Sequence, residues 1–286
     1  MKKVTPKQRQ AVHISEQSPE FQPRHRSTQP GWAVVTGATS GIGRQYALAL
    51  ARRGYAVLMT GRRRAELEAA SEAIAAETGV PVEPWVVDLA DAAERSRFLD
   101  RVMQRGPIDV VVANAGFGYA EPFVGGPLQS ARDMIAVHVT SVVELFHRVI
   151  PAMVQRRSGA LVVVSSLASR LPVPGSETYV ATKSYLNSFS ESLAVGLKPL
   201  GITVQTLLPG FTRTDFHRYD PEFQTRQPAS RLVHWMRPED VVRASLRALD
   251  RKRVVCIPGI GNRILARTFA MLPRSLVRAI VAQRAR

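Results

Sequence analysis

"WAVVTGATSGIGRQYALALARRG", residues 32 to 54, is the stretch from which the fold is read. A short apolar run, "WAVVT", meets a glycine-rich loop, "TGATSGIGR", which opens into the helix-length "RQYALALARRG". In such a turn Gly37 permits the sharp reversal. Gly41 and Gly43 let the backbone and the helix N-terminus approach a pyrophosphate. The spacing is Gly-x-x-x-Gly-x-Gly rather than Gly-x-Gly-x-x-Gly. A glycine-rich loop alone says little. Between a strand and a helix, at the start of a strand–helix series, it says a great deal.

The series continues outward from that stretch. Further short apolar runs follow at helix-length intervals: "YAVLMT" (55–60), "PWVVD" (84–88), "IDVVVAN" (108–114), "ALVVVSS" (160–166), "ITVQTLL" (202–208) and "RVVCIP" (253–258). Val-rich runs bounded by Gly, Pro or polar residues read as buried parallel strands joined by helical crossovers. The expected fold is α/β, a single doubly wound, parallel, seven-stranded Rossmann-type sheet with helices on both faces. No internal repeat or second domain is evident. The expected organisation is a polar, basic and disordered arm over 1–30, a nucleotide-binding catalytic domain over 31–262 and a basic amphipathic segment over 263–286. The unpatterned stretch 210–237 follows the sixth strand and is a candidate lid.

The charge is unevenly placed. The net charge is +16, of which residues 1–30 hold +4, residues 251–286 hold +9 and the body between them only +3. A nucleic-acid enzyme more often carries a basic groove across its body, so nucleic acid is not an expected partner. Basic ends point instead to an anionic surface. Cys256 is the single cysteine, which fits a reducing compartment. The N-terminus has no apolar core of the signal-peptide kind, and no uninterrupted apolar run is long enough to span a bilayer. The expected location is cytoplasmic, peripheral to the inner face of a membrane.

In a doubly wound sheet, ligands bind beyond the carboxyl ends of the strands. After the second run comes "TGRRR" (60–64), where an NAD site usually places an acid for the ribose 2′-hydroxyl. Arg62, Arg63 and Arg64 stand there instead. A guanidinium can clasp a 2′-phosphate, which favours NADP(H); the alternative is an exposed basic helix start. Asp88 ends the third run and could accept from an adenine amino group. "NAG" (114–116) ends the fourth, with a small residue and a glycine that let a cofactor lie close. Ser166 ends the fifth. Thirteen residues later comes "YVATK" (179–183), whose Tyr179 and Lys183 share one face of a helix. A phenol titrates near pH ~10, and a neighbouring ammonium would lower that value toward neutrality. Taken alone, the pair reads more simply as a tyrosine packed on a lysine stem.

In family order and at family spacing, "TGATSGIG", "DL" (88–89), "NAG", "VSS", "YVATK" and "PGFTRT" (209–214) make the chain resemble a short-chain dehydrogenase/reductase over residues 31–260. The resemblance implies an NADP(H)-dependent oxidoreductase. Tyr179 would be the general acid/base, Lys183 would tune it and bind the nicotinamide ribose, and Ser166 would bind the substrate oxygen. It also implies cofactor contacts from Gly37, Ser40, Gly41, Ile42, Gly43, Arg62, Asp88, Leu89, Asn114, Ala115, Gly116, Tyr179, Lys183, Thr212 and Thr214. A homo-oligomer, dimer or tetramer, is expected on the same ground. The substrate class would be a lipophilic ketone, aldehyde or alcohol, which the apolar Phe117, Tyr119, Leu167, Val173 and Phe211 also suggest. An NADP(H)-binding sensor or scaffold with little turnover is the alternative.

One position departs from the family. An Asn usually follows "NAG" in a Val-Asn-Val-Thr pattern; here "AVHVTS" places His138 there. In the family that Asn helps hold a water in a proton relay. His138 could relay protons itself or be a packing substitution. His13, His25, His147, His217 and His234 lack metal-ligand spacing, so no metal is expected.

At the C-terminus, "RILARTFAMLPRSLVRAIV" (263–281) projected as a helix gathers Arg263, Arg267, Arg274 and Arg278 on one side. Leu265, Phe269, Leu272, Leu276 and Ile280 cluster opposite. Such a segment could lie on an anionic membrane, cover the substrate cleft or meet a partner subunit, and Pro273 would kink it or start a second helix.

Overall fold

The structure, a computed structural model, describes residues 31–118, 123–217 and 235–284. The arm read over 1–30, Tyr119 and most of the candidate lid at 210–237 lie outside the described residues. The first half of the chain runs β1 (Trp32–Val35), α1 (Gly41–Ala51), β2 (Ala56–Gly61), α2 (Arg64–Thr78), β3 (Val82–Val86), α3 (Ala92–Met103) and β4 (Ile108–Ala113). The second half runs α4 (Leu128–Ile135), a π-helical turn (Ala136–Thr140), α5 (Ser141–Arg156), β5 (Gly159–Val164), α6 (Glu177–Leu197) and β6 (Ile202–Leu207). It ends with α7 (Pro238–Asp250), β7 (Val255–Cys256), α8 (Ile260–Met271) and α9 (Arg274–Arg284).

The seven strands lie in the order β3-β2-β1-β4-β5-β6-β7, every pair parallel. The first three strands build outward in one direction, and β4 returns to the other side of β1. That reversal opens a crevice at the carboxyl ends of β1 and β4. Strand side chains alternate between two cores. Val111 faces one with Phe98 and Phe146, while Val110 and Val112 face the other with Tyr46 and Leu50. Covering both faces is why these strands read as continuous apolar runs. Behind the glycine loop, the buried Tyr46 hydroxyl of α1 bonds Ser245 of α7, which bonds Gln205 of β6. This chain fixes α1 across the sheet, and burial pushes the Tyr46 phenol well above its ordinary pKa.

Two details of the sequence reading shift. The third strand begins two residues earlier than "PWVVD", because β2 pairs with it from Val82. At the far edge β7 is only two residues long, since only Thr206 and Leu207 pair with it.

Candidate active site

The carboxyl ends of β1 and β4 are stapled together. Thr36 Oγ1 accepts from the backbone N–H groups of Asn114 and Ala115, each at 3.0 Å. The Asn114 amide donates back to the Thr36 and Gly37 carbonyls at 3.1 and 2.9 Å. Asn114 therefore shapes the loop from β4, its amide nitrogen turned into the turn.

Each loop glycine answers a different neighbour. Gly37 has φ of +65°, and a Cβ there would lie 2.7 Å from the Ala115 Cα. A Cβ at Gly43 would lie 2.2 Å from the Gly37 carbonyl oxygen, and one at Gly41 (φ +57°) 2.8 Å from the Thr214 side chain. The loop thus runs flush against β4, against α1 and against the segment after β6. Helix α1 has no acidic residue in its first turn, so its positive end at Gly41 and Ile42 is uncompensated. Exposed backbone and an uncompensated helix end suit a phosphate. The cradle therefore fits a dinucleotide cofactor.

The three arginines after β2 separate by geometry. Arg64 pairs with Glu68 on the outer face of α2. Arg62 is mostly exposed, 4.0 Å from Asp88 Oδ2. Arg63 donates to Ser40 Oγ at 3.1 Å and so lies directly against the glycine loop. Asp88 accepts from the Ala90 N–H at 2.9 Å through its other oxygen. The Leu89 side chain is buried, and its carbonyl accepts from Arg95. Thr212 is buried and donates to the Gly210 carbonyl.

Across the crevice, β5 delivers Ser166 and α6 delivers Tyr179 and Lys183. Ser165 Oγ donates to the Lys183 carbonyl at 3.0 Å, tying the strand tip to the helix. Ser166 approaches the Tyr179 hydroxyl as a hydrogen-bonding group that favours its phenolate. Lys183 is buried, its Nζ donating to the Val164 carbonyl at 2.9 Å and lying 5.9 Å from the Tyr179 ring centroid. Burial pushes Tyr179 up to about 12, opposed only in part by the Ser166 hydrogen bond. Burial also lowers Lys183 to about 8. The expectation that Lys183 brings the phenol toward neutrality is thus corrected: desolvation of a phenolate dominates.

His138 sits fully buried beside them, on the π-helical turn. Its Nε2 lies 3.0 Å from the Phe117 N–H, which can only donate, so Nε2 accepts. The proton is then on Nδ1, 2.9 Å from Thr182 Oγ1, and the Thr182 hydroxyl in turn donates to the Tyr179 carbonyl at 2.8 Å. Burial first, and the Lys183 charge second, hold the imidazole pKa well below its ordinary value, so it is neutral. Gly116 makes room for this arrangement, because a Cβ there would lie 2.8 Å from Nε2.

Several site residues had no role in the sequence reading. Thr182 lies inside "YVATK" but shows its part only once His138 is beside it. Phe216 packs over Gly118, where a Cβ would meet its ring at 2.4 Å, and its ring centroid is 6.0 Å from that of Tyr179. Arg63 belonged to a visible arginine run, but only geometry separates it from Arg64. Of the apolar residues expected near the site, Phe117 packs edge-on to His138 and Phe211 packs on Trp235.

Comparison with known proteins agrees with this geometry. A family model described as short chain dehydrogenase matches residues 31–225. An uncharacterized oxidoreductase of Myxococcus xanthus is 43% identical over 186 residues, covering 64% of this chain and 72% of that protein. A very-long-chain 3-oxoacyl-CoA reductase of Laccaria bicolor is 36% identical over 180 residues, 62% of this chain and 53% of that protein. The chain thus matches about half the length of the Laccaria relative. A solved short-chain dehydrogenase of Sphingobium yanoikuyae in complex with NADPH superposes with a TM-score of 0.73 at 31% identity, covering 80% of this chain and 88% of that one. With the family model spanning most of its length, the chain belongs to the short chain dehydrogenase family of nicotinamide-dependent oxidoreductases.

Proposed function

We propose that the protein is an NADP(H)-dependent oxidoreductase that interconverts a lipophilic ketone or aldehyde with its alcohol, with Tyr179 as general acid/base. The observation that carries this reading is the grouping of Ser166, Tyr179 and the buried Lys183 at the tip of β5, with Lys183 Nζ 5.9 Å from the Tyr179 ring centroid. NADP(H), when bound, supplies or takes the hydride. Ser166 and Tyr179 converge on one point, where a carbonyl oxygen can accept from both hydroxyls. Held protonated by burial at neutral pH, Tyr179 is in the acid form that reduction needs. As the proton leaves, the Lys183 ammonium stabilises the phenolate. The cofactor phosphates would lie on Gly41, Ile42 and Gly43 with Thr214 alongside. Arg62 and Arg63 would hold the 2′-phosphate, with Asp88 and Leu89 near the adenine. Gly116, Lys183 and Thr212 would flank the nicotinamide. The very-long-chain 3-oxoacyl-CoA reductase activity that the Laccaria relative is named for, and the aromatic surroundings of Tyr179, favour a lipophilic carbonyl substrate.

His138 in this reading positions rather than relays: its two nitrogens tie the loop after β4 to the turn of α6 that carries Tyr179. We also propose a homo-oligomer, for which exposed Tyr185 and Val195 on α6 offer surface. A location at the inner face of an anionic membrane, engaged through residues 263–286, completes the reading.

The test is NADPH oxidation with a panel of lipophilic ketones and aldehydes. The unmodified chain should turn over. Tyr179→Phe should keep NADPH binding and lose about 10²–10⁴-fold in kcat. Tight NADPH binding with no turnover on any carbonyl would favour the sensor reading instead.

A further inference from the structure

We infer that the mouth of the crevice is itself the membrane-facing surface: the outward face of α8 and the apolar tip of the β4–α4 connection seat it on an anionic bilayer. This deepens, and rests on, the membrane and lipophilic-substrate readings above.

The structure changes which face of the C-terminus is available. Pro273 ends α8, and α9 starts at Arg274, so residues 263–281 do not form one continuous helix. Helix α8 begins at Ile260, before the boundary at 263 drawn from charge alone. Its inner side is used by the body. Ala266 is buried, Asn262 bonds the Pro258 carbonyl at 2.9 Å and fills the space beside Gly210, and Val277 of α9 is buried. Of the side expected to face lipid, Phe269, Leu272 and Ile280 are partly covered, while Leu265 and Leu276 stay exposed. The outward side instead carries Ile260, Ile264 and Met271, which are 68%, 61% and 85% exposed. Four and seven residues apart, they form one stripe, with Arg263 and Arg267 on its flank.

That stripe is next to the mouth. Helix α8 packs on Leu167–Arg170, the turn that follows Ser166, and its Asn262 abuts Gly210 at the end of β6. On the other side of the mouth, Phe123 shares a hollow with Gly118 and Tyr179, and Val124 is 89% exposed. Among the described residues, ten of the thirteen exposed large apolar side chains follow β4, β6 or β7 in the chain. Concentrated exposure of this kind marks a binding surface.

Charge selects the occupant. Residues 251–286 hold nine basic side chains and no acidic one. In a two-fold contact each copy would set arginine against arginine. An anionic headgroup layer complements the arginines, and the apolar stripe inserts below it. A lipophilic carbonyl compound dissolved among the acyl chains would then meet the crevice directly.

The test uses the full chain with phosphatidylcholine vesicles, with and without phosphatidylglycerol. Binding should require the anionic lipid and be reversed by high salt. Ile264→Glu/Met271→Glu should weaken cosedimentation roughly tenfold or more. Val124→Asp/Leu128→Asp should also weaken it, and Trp235, whose ring packs on Phe211, should be quenched by brominated lipid tails. Circular dichroism and turnover of a water-soluble ketone should be unchanged in both double variants. If the full chain ignores anionic vesicles, the membrane reading falls and this inference with it. If binding ignores Val124→Asp/Leu128→Asp and Trp235 stays unquenched, the membrane reading stands but the mouth-down orientation is overturned. If Ile264→Glu/Met271→Glu splits an oligomer and leaves vesicle binding intact, the stripe is a contact between copies.

Discussion

The two sides of the crevice are built on different principles. On the β1–β4 side, backbone meets backbone: Thr36 and Asn114 lock two strand ends together, and Gly37, Gly41 and Gly43 leave no room for a side chain. On the substrate side, around the tip of β5 and the helices that flank it, side chains meet side chains. Ser166, Tyr179, His138 and Phe216 touch across four different elements, and apolar groups reach into solvent at the rim. A cofactor shared by a whole family calls for a rigid surface with little side-chain freedom. A substrate particular to one chain calls for a surface that side chains can vary.

The contrast can be broken first at the backbone side. Gly43→Ala would press a methyl onto the Gly37 carbonyl, so the loop must move. Overpacking typically costs about 1–3 kcal/mol, and here it should fall on both the melting temperature and NADPH affinity. Unchanged NADPH titration and Tm would show that the loop has slack that the glycine contacts deny.

Next comes the edge of the cofactor side. Arg62→Asp should weaken NADPH relative to NADH by roughly 1.5–3 kcal/mol, the range for a hydrogen bond to a charged group. Arg63→Ala should weaken it as well, because Arg63 lies on Ser40. If the Arg62 variant keeps its preference while the Arg63 variant loses it, Arg63 is the chief 2′-phosphate group. Equal affinity for both cofactors in the unmodified chain would remove the NADP(H) preference altogether.

On the side-chain side, pH is the probe. Lys183 is lowered to about 8, so its charge is present below that value and lost above it. Turnover should fall as pH rises through about 8. Linkage gives the opposite trend for stability. Between about 8 and the ordinary lysine value of 10.5, the unfolded chain holds a proton that folded Lys183 has released, so this residue's contribution to stability rises with pH. A rate profile flat across this window would place the ammonium outside the rate-determining step.

The smallest effect is expected at His138. The folded imidazole refuses a proton, while the unfolded one accepts it below about 6.5. Stability should therefore decline as pH falls through that value, and His138→Asn should flatten the decline. Because both ring nitrogens bond within the protein, the same substitution should leave the pH–rate profile without a lost limb near 6.5. A limb that disappears in His138→Asn would restore the relay.

The sequence by itself determined the strand–helix alternation, the glycine loop and the pairing of Tyr179 with Lys183. Each rests on short-range rules: burial on both sheet faces makes Val-rich runs, a tight turn demands glycine, and a four-residue spacing shares a helix face. Arg62, Arg63 and Arg64 were visible as a run, but the run has no direction until α2 begins and turns Arg64 outward. His138 was visible as a departure. Its tautomer and partners needed Phe117 and Thr182, 21 and 44 residues away in sequence, brought within hydrogen-bond reach. The pKa of Tyr179 turned on desolvation, a property of everything packed around it rather than of its neighbour in the helix. At the C-terminus the amphipathic pattern was legible, yet only the tertiary structure decided which side is covered. Pro273, with no N–H to donate, breaks the segment in two, and the sheet's carboxyl edge claims the face around Ala266 and leaves Ile260, Ile264 and Met271 to the outside.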